Sequence, residues 1–190
     1  MKCIEVVIQD HATIRKGLDI LDMMVTAMEE GRRIEIADAI RMVNFLHSFA
    51  DEYHQTMEEN ILFPLLLRAT PDDNPLHQMI PEHTEERRLL SHIDDALKSK
   101  RAMDFVRMSR HLAMHLRNHF NEEDIVLYDL AERALSNEED TMIVTEFMKN
   151  RVRVESHEDL SRLEWKYATR QPTAGLNAVA MSGGKQSLQR

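Results

Sequence analysis

The sequence predicts an all-α fold: an antiparallel up-down four-helix bundle with an additional C-terminal helix and a flexible tail. Apolar residues recur at steps of three and four along four long segments, which is the spacing of one helix face. The 190 residues include only five Gly and five Pro, and 5% are aromatic. Because sandwiches and barrels need many turns and many aromatic or β-branched residues, this composition argues against an all-β fold.

The four bundle helices are predicted over residues 6–30, 36–69, 76–97 and 102–135. Gly31 ends the first helix, since glycine readily adopts the left-handed conformation found after a helix. Pro64 lies inside the second helix and predicts a kink or a local break there. The composition of residues 71–75 predicts a turn, and Pro81 lies early in the third helix.

Beyond the bundle, a fifth helix is expected to begin after Ser136. This serine resembles an N-cap, and Glu138 and Glu139 give the first turn the acidic character that a helix N-terminus favours. The fifth helix either caps the bundle or supports a homodimer. The predicted domain organisation is a bundle at 1–135, an additional helix at 136–169 and a flexible tail at 170–190.

The charge and the cysteine content restrict the environment and the partners. Lys and Arg number 24 against 33 Asp and Glu, which gives a formal net charge of -9. An acidic chain without a basic run is a poor ligand for nucleic acid or anionic membranes. No apolar run approaches the length of a membrane span. The single cysteine, Cys3, permits no internal disulfide and fits a cytoplasmic location.

Two His-x-x-x-Glu pairs begin similar stretches of sequence. They are His54 with Glu58 and His119 with Glu123. The residues after each pair also correspond: Glu59 with Asp124, Ile61 with Val126, Leu62 with Leu127, Phe63 with Tyr128, and Leu65 with Leu130. Upstream of each pair is a His-x-x-x-Arg motif, at His11 and at His83. The chain therefore contains an internal duplication of a helical hairpin.

The spacing of the duplicated histidines predicts that they meet in the core. In the sequence, His54 follows His11 by 43 positions, and His119 follows His83 by 36. With a turn midway between the members of each pair, the two histidines lie at the same height of an antiparallel hairpin. Within a helix, residues four apart share a face, so each glutamate accompanies its histidine. Four imidazoles and two carboxylates are thus expected in one layer.

That layer predicts a metal centre. Two carboxylates buried close together repel one another and lose their hydration, which costs several kcal/mol each. A pair of cations would remove that cost. Nitrogen and oxygen donors without thiolate suit iron or manganese, with zinc a further candidate.

These motifs resemble those of the hemerythrin-like family of HHE cation-binding domains, over about residues 5–135. The most telling stretches, EYHQTMEENILFPLL and HFNEEDIVLYDLAERAL, are similar to the family's second and fourth helices. The resemblance implies a non-haem di-iron centre with an oxo or hydroxo bridge in a four-helix bundle. The implied terminal ligands are His11, His54, His83 and His119, and the implied bridging carboxylates are Glu58 and Glu123.

The chain differs from the oxygen-carrying members of that family at two positions. Arg87 stands where those proteins have a second third-helix histidine, and their last carboxylate would here be Asp124. We prefer Glu123, because it matches Glu58 in the repeat and lies about 40° from His119 around the helix, against about 140° for Asp124. The four-His, two-Glu set is more similar to bacterial di-iron proteins associated with nitric-oxide stress and repair of iron centres.

Two six-coordinate irons in this ligand set would each keep one open position. The expected function is therefore binding of dioxygen, nitric oxide or peroxide in sensing, scavenging or a stress response. Consumption of peroxide or nitric oxide would make the protein an enzyme. The alternative is an iron-handling protein that oxidises, stores or donates iron.

Several neighbours leave two interpretations open. His115, His111 and His47 either support the metal site or make ordinary hydrogen bonds. Arg15 and Arg87 either brace the bridging carboxylates or pair with surface acids. Tyr53 and Tyr128 either face the cavity or pack in the core, and three histidines without a pattern are expected at the surface: His77, His92 and His157.

Overall fold

The structure, a computed structural model, describes residues 1–69, 75–151 and 157–168. All regular secondary structure in these ranges is helical, which confirms the predicted all-α bundle. Most of the predicted turn at 71–75 and the whole predicted tail at 170–190 lie outside the described residues.

Four antiparallel rods form the bundle, and the second rod consists of several consecutive helical segments. The elements are α1 (Lys2–Glu29), α2 (Ile36–Phe45), π1 (Leu46–Gln55), π2 (Glu58–Leu62), α3 (Phe63–Ala69), α4 (Leu76–Lys98) and α5 (Ala102–Ala134). The fourth rod, α5, packs against both α1 and α4, and the second rod packs against the same two helices. The core therefore lies between the four rods, where the predicted apolar stripes meet.

Wide π-helical turns occupy the middle of the second rod, where the sequence predicted a disturbance only at Pro64. The π2 segment ends directly before α3, whose second residue is Pro64, so the proline follows a stretch that is already widened. The longer π1 segment was not predicted. Since each π turn adds a residue to the helix, it changes the direction of every side chain that follows, and such turns recur at functional sites. His54 lies in π1 and Glu58 begins π2.

Helices α1 and α4 end with the same backbone conformation and the same pattern of hydrogen bonds. The amide of Gly31 bonds to the Met28 carbonyl, and Gly31 has the positive φ of 76° predicted for a glycine at this place. At the end of α4 the amide of Lys100 bonds to the Leu97 carbonyl in the same way, but the left-handed residue is a lysine with φ 54°.

After the bundle, two further helices cover α1: α6 (Asn137–Arg151) and α7 (His157–Ala168). The predicted cap is present, since the amide of Glu139 donates to Ser136 Oγ at 3.2 Å and the amide of Ser136 donates to Glu139 Oε2 at 2.9 Å. A single fifth helix was predicted, and the residues between α6 and α7 lie outside those described. Homodimer formation stays a prediction.

Buried contacts attach both added helices to the bundle. Ile143 and Phe147 of α6 are fully buried, and the Asp140 carboxylate accepts a hydrogen bond from the Cys3 amide at 2.9 Å. The Tyr167 hydroxyl of α7 donates to Asp38 Oδ2 at 2.8 Å. Burial, reinforced by Asp140, raises the pKa of the Cys3 thiol to about 12, which disfavours the nucleophilic thiolate form. Within the described ranges, no helix has both the length and the apolar character needed to cross a bilayer.

Candidate metal centre

The structure brings all six predicted ligand residues together in one buried layer. Each of them is at most 2% exposed. They come from every rod of the bundle: His11 from α1, His54 from π1, Glu58 from π2, His83 from α4, and His119 and Glu123 from α5. The two histidines of each hairpin therefore lie at the same height of the bundle, as their spacing predicted.

Glu58 lies between the two histidine pairs. Its Oε1 atom is 3.3 Å from His54 Nε2 and 3.8 Å from His11 Nε2. Its Oε2 atom is 3.6 Å from His83 Nε2, on the other side. One carboxylate thus presents a different oxygen to each half of the duplicated sequence, which is the arrangement that a bridging ligand needs.

Glu123 completes the layer from the opposite helix. Its Oε2 atom is 3.2 Å from His11 Nε2 and 3.5 Å from His119 Nε2. On the far side, His83 Nε2 and His119 Nε2 lie 3.1 Å apart. Ligand atoms of His11, His54, Glu58 and Glu123 all lie within 4.8 Å of one another, close enough to surround one ion.

Several polar atoms that face the middle of this layer have no hydrogen-bond partner in the described part of the chain. Among the described residues, Nε2 of His11 and His54 and both carboxylate oxygens of Glu58 and Glu123 are buried without a hydrogen bond. Buried polar groups are almost always paired, and buried charges need a counter-charge. Nitrogen and oxygen donors aimed at a common centre fit metal cations, and a cation would satisfy these atoms together.

The pKa shifts in this layer show that its side chains are not stable in their usual charge states when no cation is bound. Burial, together with the nearby Glu123 charge, raises the pKa of Glu58 well above its usual range. Burial also lowers the pKa of His54 to about 4. For His11, burial opposes protonation, but the hydrogen bond to Asp124 and the nearby Glu123 and Glu58 carboxylates outweigh it and raise the pKa. Without a cation, protons must therefore neutralise part of the layer.

An outer ring of carboxylates orients three of the four imidazoles. His11 Nδ1 donates to Asp124 Oδ1 at 2.6 Å, and His83 Nδ1 donates to Glu59 Oε1 at 2.8 Å. His119 Nδ1 donates to Glu82 Oε2 at 2.7 Å. Such carboxylate–histidine pairs fix the tautomer, so Nε2 is left as the free donor facing the layer. Asp124 thus lies outside the layer, and the angular argument for Glu123 agrees with its position.

The two arginines of the His-x-x-x-Arg motifs contact this outer ring. Arg15 lies 2.8 Å from Asp124 Oδ2, and Arg87 lies 2.9 Å from Glu59 Oε1. They therefore brace the acids that hold His11 and His83, and they do not contact the inner glutamates. The duplicated hairpins repeat the whole chain of contacts, from arginine through carboxylate to histidine.

The duplication is broken beside His54. By repeat position, Asp10 corresponds to Glu82, but its Oδ2 atom is 3.9 Å from His54 Nδ1, too far for a hydrogen bond. Asp10 instead accepts a hydrogen bond from the Tyr53 hydroxyl at 2.8 Å, and Arg151 of α6 lies 3.4 Å from its other oxygen. Tyr53 is thus a buried residue with a polar partner near the layer.

Gln55 and Glu86 form a second unpredicted polar group. Both are buried, and the Gln55 amide donates to Glu86. Burial raises the pKa of Glu86 well above its usual range, and the Glu123 charge raises it further. His115, which the sequence left open, lies with Nε2 3.8 Å from Glu86 Oε1 and does not reach the layer.

The remaining candidates lie away from the centre. His47 pairs with Asp94 at 2.9 Å, and Tyr128 is 43% exposed. Three histidines are exposed, as expected for two of them: His77, His92 and His111. The side chain of His157 lies outside the described residues. Phe120 stacks on His11 with ring centroids 4.3 Å apart and covers that side of the layer.

A comparison with family models decides the family. The model described as the hemerythrin HHE cation binding domain matches residues 3–164. The chain belongs to this family. The match includes α6 and part of α7, and the family together with the buried His/Glu group makes this a metal-binding protein. Comparisons with curated proteins and with solved structures gave no match.

Proposed function

We propose that this hemerythrin-family protein holds two iron ions in the buried layer and binds dioxygen, nitric oxide or peroxide there, for sensing, scavenging or defence against oxidative and nitrosative stress. The observation that carries the proposal is the position of Glu58, with one oxygen directed to His54 and the other to His83. A carboxylate shared between two histidine pairs fits two ions better than one.

The donor set favours iron. Imidazole and carboxylate without thiolate suit iron, with manganese and zinc as competitors. When bound, a pair of iron ions supplies redox chemistry and open coordination positions for small molecules. The outer carboxylates, such as Asp124 on His11, would increase the basicity of the ligands and keep each Nε2 directed inward.

The burial of the centre favours small ligands over iron transfer. None of the six side chains is more than 2% exposed, and Phe120 and Phe63 stack against His11 and His83. A diatomic molecule or peroxide needs only a narrow path, whereas delivery of iron to an acceptor would require ligands to be exposed. We therefore rank iron donation and storage second.

The test is reconstitution with Fe(II) without oxygen, followed by metal analysis. We expect about two iron ions per chain, and a visible absorption change when oxygen or nitric oxide is added. The double variant Glu58→Gln/Glu123→Gln should bind less than half as much iron. The matched control is Glu52→Gln/Glu122→Gln, which makes the same chemical change at exposed positions of π1 and α5.

Well under one iron per wild-type chain would contradict the proposal. Iron release to an apo-acceptor, without any stable adduct of oxygen or nitric oxide, would favour the iron-handling function instead. Turnover of peroxide or nitric oxide beyond the amount of bound iron would identify the protein as an enzyme.

A further inference from the structure

A pocket of about 390 Å³ lies at the end of the bundle where the α1–α2 and α4–α5 turns meet. Met28, Leu97 and Phe105 contribute to its apolar floor. Met28 follows His11 by 17 positions on the same helix, so the pocket is roughly 25 Å along the bundle from the metal layer. Its volume and its apolar lining are typical of small-molecule sites.

The charged residues around this pocket are all basic. They are Arg32, Arg33, Lys100 and Arg101, and among the described residues no acidic side chain lines the pocket. This contrasts with the acidic excess of the whole chain. Arg32 pairs with Glu30, and Arg101 pairs with Asp104 at 2.6 Å. Arg33 and Lys100 are exposed and belong to none of the ion pairs formed within the described ranges.

The backbone at Lys100 gives a second, independent indication. Lys100 and Gly31 occupy equivalent left-handed positions at the ends of α4 and α1, with φ of 54° and 76°. Glycine adopts this conformation without a steric penalty, whereas a lysine is disfavoured there. The helix dipole favours a cation at this end, but Lys98 and Arg101 already place charges there. Lys100 therefore lines the pocket at a position that glycine would occupy without a steric penalty, which points to a role of its side chain in binding.

The apolar floor continues beyond the pocket along the second rod. Ile36 lines the pocket and is 60% exposed, and it also lines a neighbouring groove with Ile40. Lys98 also lines this groove and adds a further cationic side chain. Among the described residues the groove has a single acid, Asp94, which is paired with His47. The surface is therefore elongated, apolar in the middle and basic at its edge.

We propose that this pocket binds an anionic amphiphile, specifically a long-chain carboxylate. The hydrocarbon chain would lie over Phe105 and Ile36, and the carboxylate would lie between Lys100 and Arg33. The apolar lining matches the hydrocarbon chain of such a molecule, and two cations without an ion pair in the described part of the protein match its carboxylate. The proposal does not depend on the metal centre, so it can hold or fail separately from the proposed function.

The first test is calorimetric titration of the purified 190-residue protein with dodecanoate below its micelle concentration. We expect saturable binding of one molecule per chain. The charge-reversal variant Arg33→Glu/Lys100→Glu should bind at least tenfold more weakly. The matched control Arg133→Glu/Lys149→Glu changes the net charge equally at two exposed positions away from the pocket and should bind like the wild type.

A second variant separates binding from a structural role of Lys100. Lys100→Gly removes the disfavoured side chain, so the melting temperature should rise while dodecanoate binding weakens several-fold. If Lys100 only caps α4, the melting temperature rises and the affinity does not change, which would overturn the carboxylate site.

Two comparison ligands complete the design. Dodecyltrimethylammonium has a similar chain with the opposite charge and should not compete for the pocket. Equal binding of the cation and of dodecanoate would overturn the proposal, and so would no binding of dodecanoate. Vesicles of phosphatidylglycerol distinguish a free carboxylate from a lipid surface: we expect no co-sedimentation, and binding to vesicles without binding of monomeric dodecanoate would refute the free-carboxylate site.

Discussion

His11 Nδ1 and Asp124 Oδ1 lie 2.6 Å apart, across the interface between α1 and α5. The carboxylate keeps the proton of His11 on Nδ1, so that Nε2 is free for a cation. Asp124→Asn would retain the size of the side chain but remove its charge. Since loss of such an outer partner typically costs 10–100-fold in metal affinity, we expect about that decrease for Fe(II).

The affinity can be measured by competition with a coloured Fe(II) chelator under anaerobic conditions. Asp129→Asn is the control, because Asp129 lies on the same helix and is 73% exposed. If Asp124→Asn retained the affinity of this control, the outer carboxylate would have no part in metal binding.

The residues of the buried layer could be brought together from the sequence because their motif occurs twice. His54 with Glu58 and His119 with Glu123 lie at the same spacing, and hairpin geometry brings them to one height. The outer acids left a weaker signal. Glu59 and Asp124 occupy the same position of the repeat and Glu82 directly precedes His83, but the contacts of these acids depend on how neighbouring rods face each other, which spacing alone does not specify.

Other features could not be predicted because they break the repeat. Glu86 corresponds to Ile14 and Gln55 to Phe120, so the alignment gives no reason to expect a buried carboxyl–amide pair. The π1 segment also left no signal. It packs against α1 and α4, and contacts between rods leave no local sequence pattern, whereas the predicted kink at Pro64 follows from the proline itself.

Tyr53 should stabilise the fold through Asp10. Its hydroxyl donates to a buried carboxylate at 2.8 Å, and hydrogen bonds to charged groups contribute about 1.5–3 kcal/mol. We expect Tyr53→Phe to lower the free energy of unfolding by about that amount. Urea denaturation of the metal-free protein measures it. Tyr128→Phe, at an exposed tyrosine, should have little effect on the free energy of unfolding. Equal effects of the two variants would show that the hydrogen bond from Tyr53 to Asp10 does not stabilise the fold.

Glu86 should make the stability of the metal-free protein depend on pH. Burial raises its native pKa well above the ordinary value of 4.5, and the Glu123 charge adds to this. Between those two pKa values the native state holds a proton that the unfolded chain has released, so this contribution to stability falls as pH rises. The Glu86→Gln variant has no ionisable group at this position, so its stability should not show this decrease with rising pH.

The relevant quantity is the difference in unfolding free energy between Glu86→Gln and the wild type, measured in urea at about pH 5 and about pH 8. We expect the variant to become more stable relative to the wild type as pH rises. The exposed Glu122→Gln should give a difference that does not change with pH. A constant difference for Glu86→Gln as well would mean that Glu86 ionises normally in the native protein.

The cap at Ser136 should hold α6 on the bundle. Ser136 Oγ accepts from the Glu139 amide, and such caps contribute about 0.5–2 kcal/mol. Because α6 also carries Asp140 onto the Cys3 amide, Ser136→Ala should speed amide hydrogen exchange in α6 and at the start of α1. Exchange in α4 should not change. Ser91→Ala, at an exposed position within α4, is the control. If Ser136→Ala instead accelerated exchange uniformly throughout the protein, the cap would support global stability and have no local effect on α6.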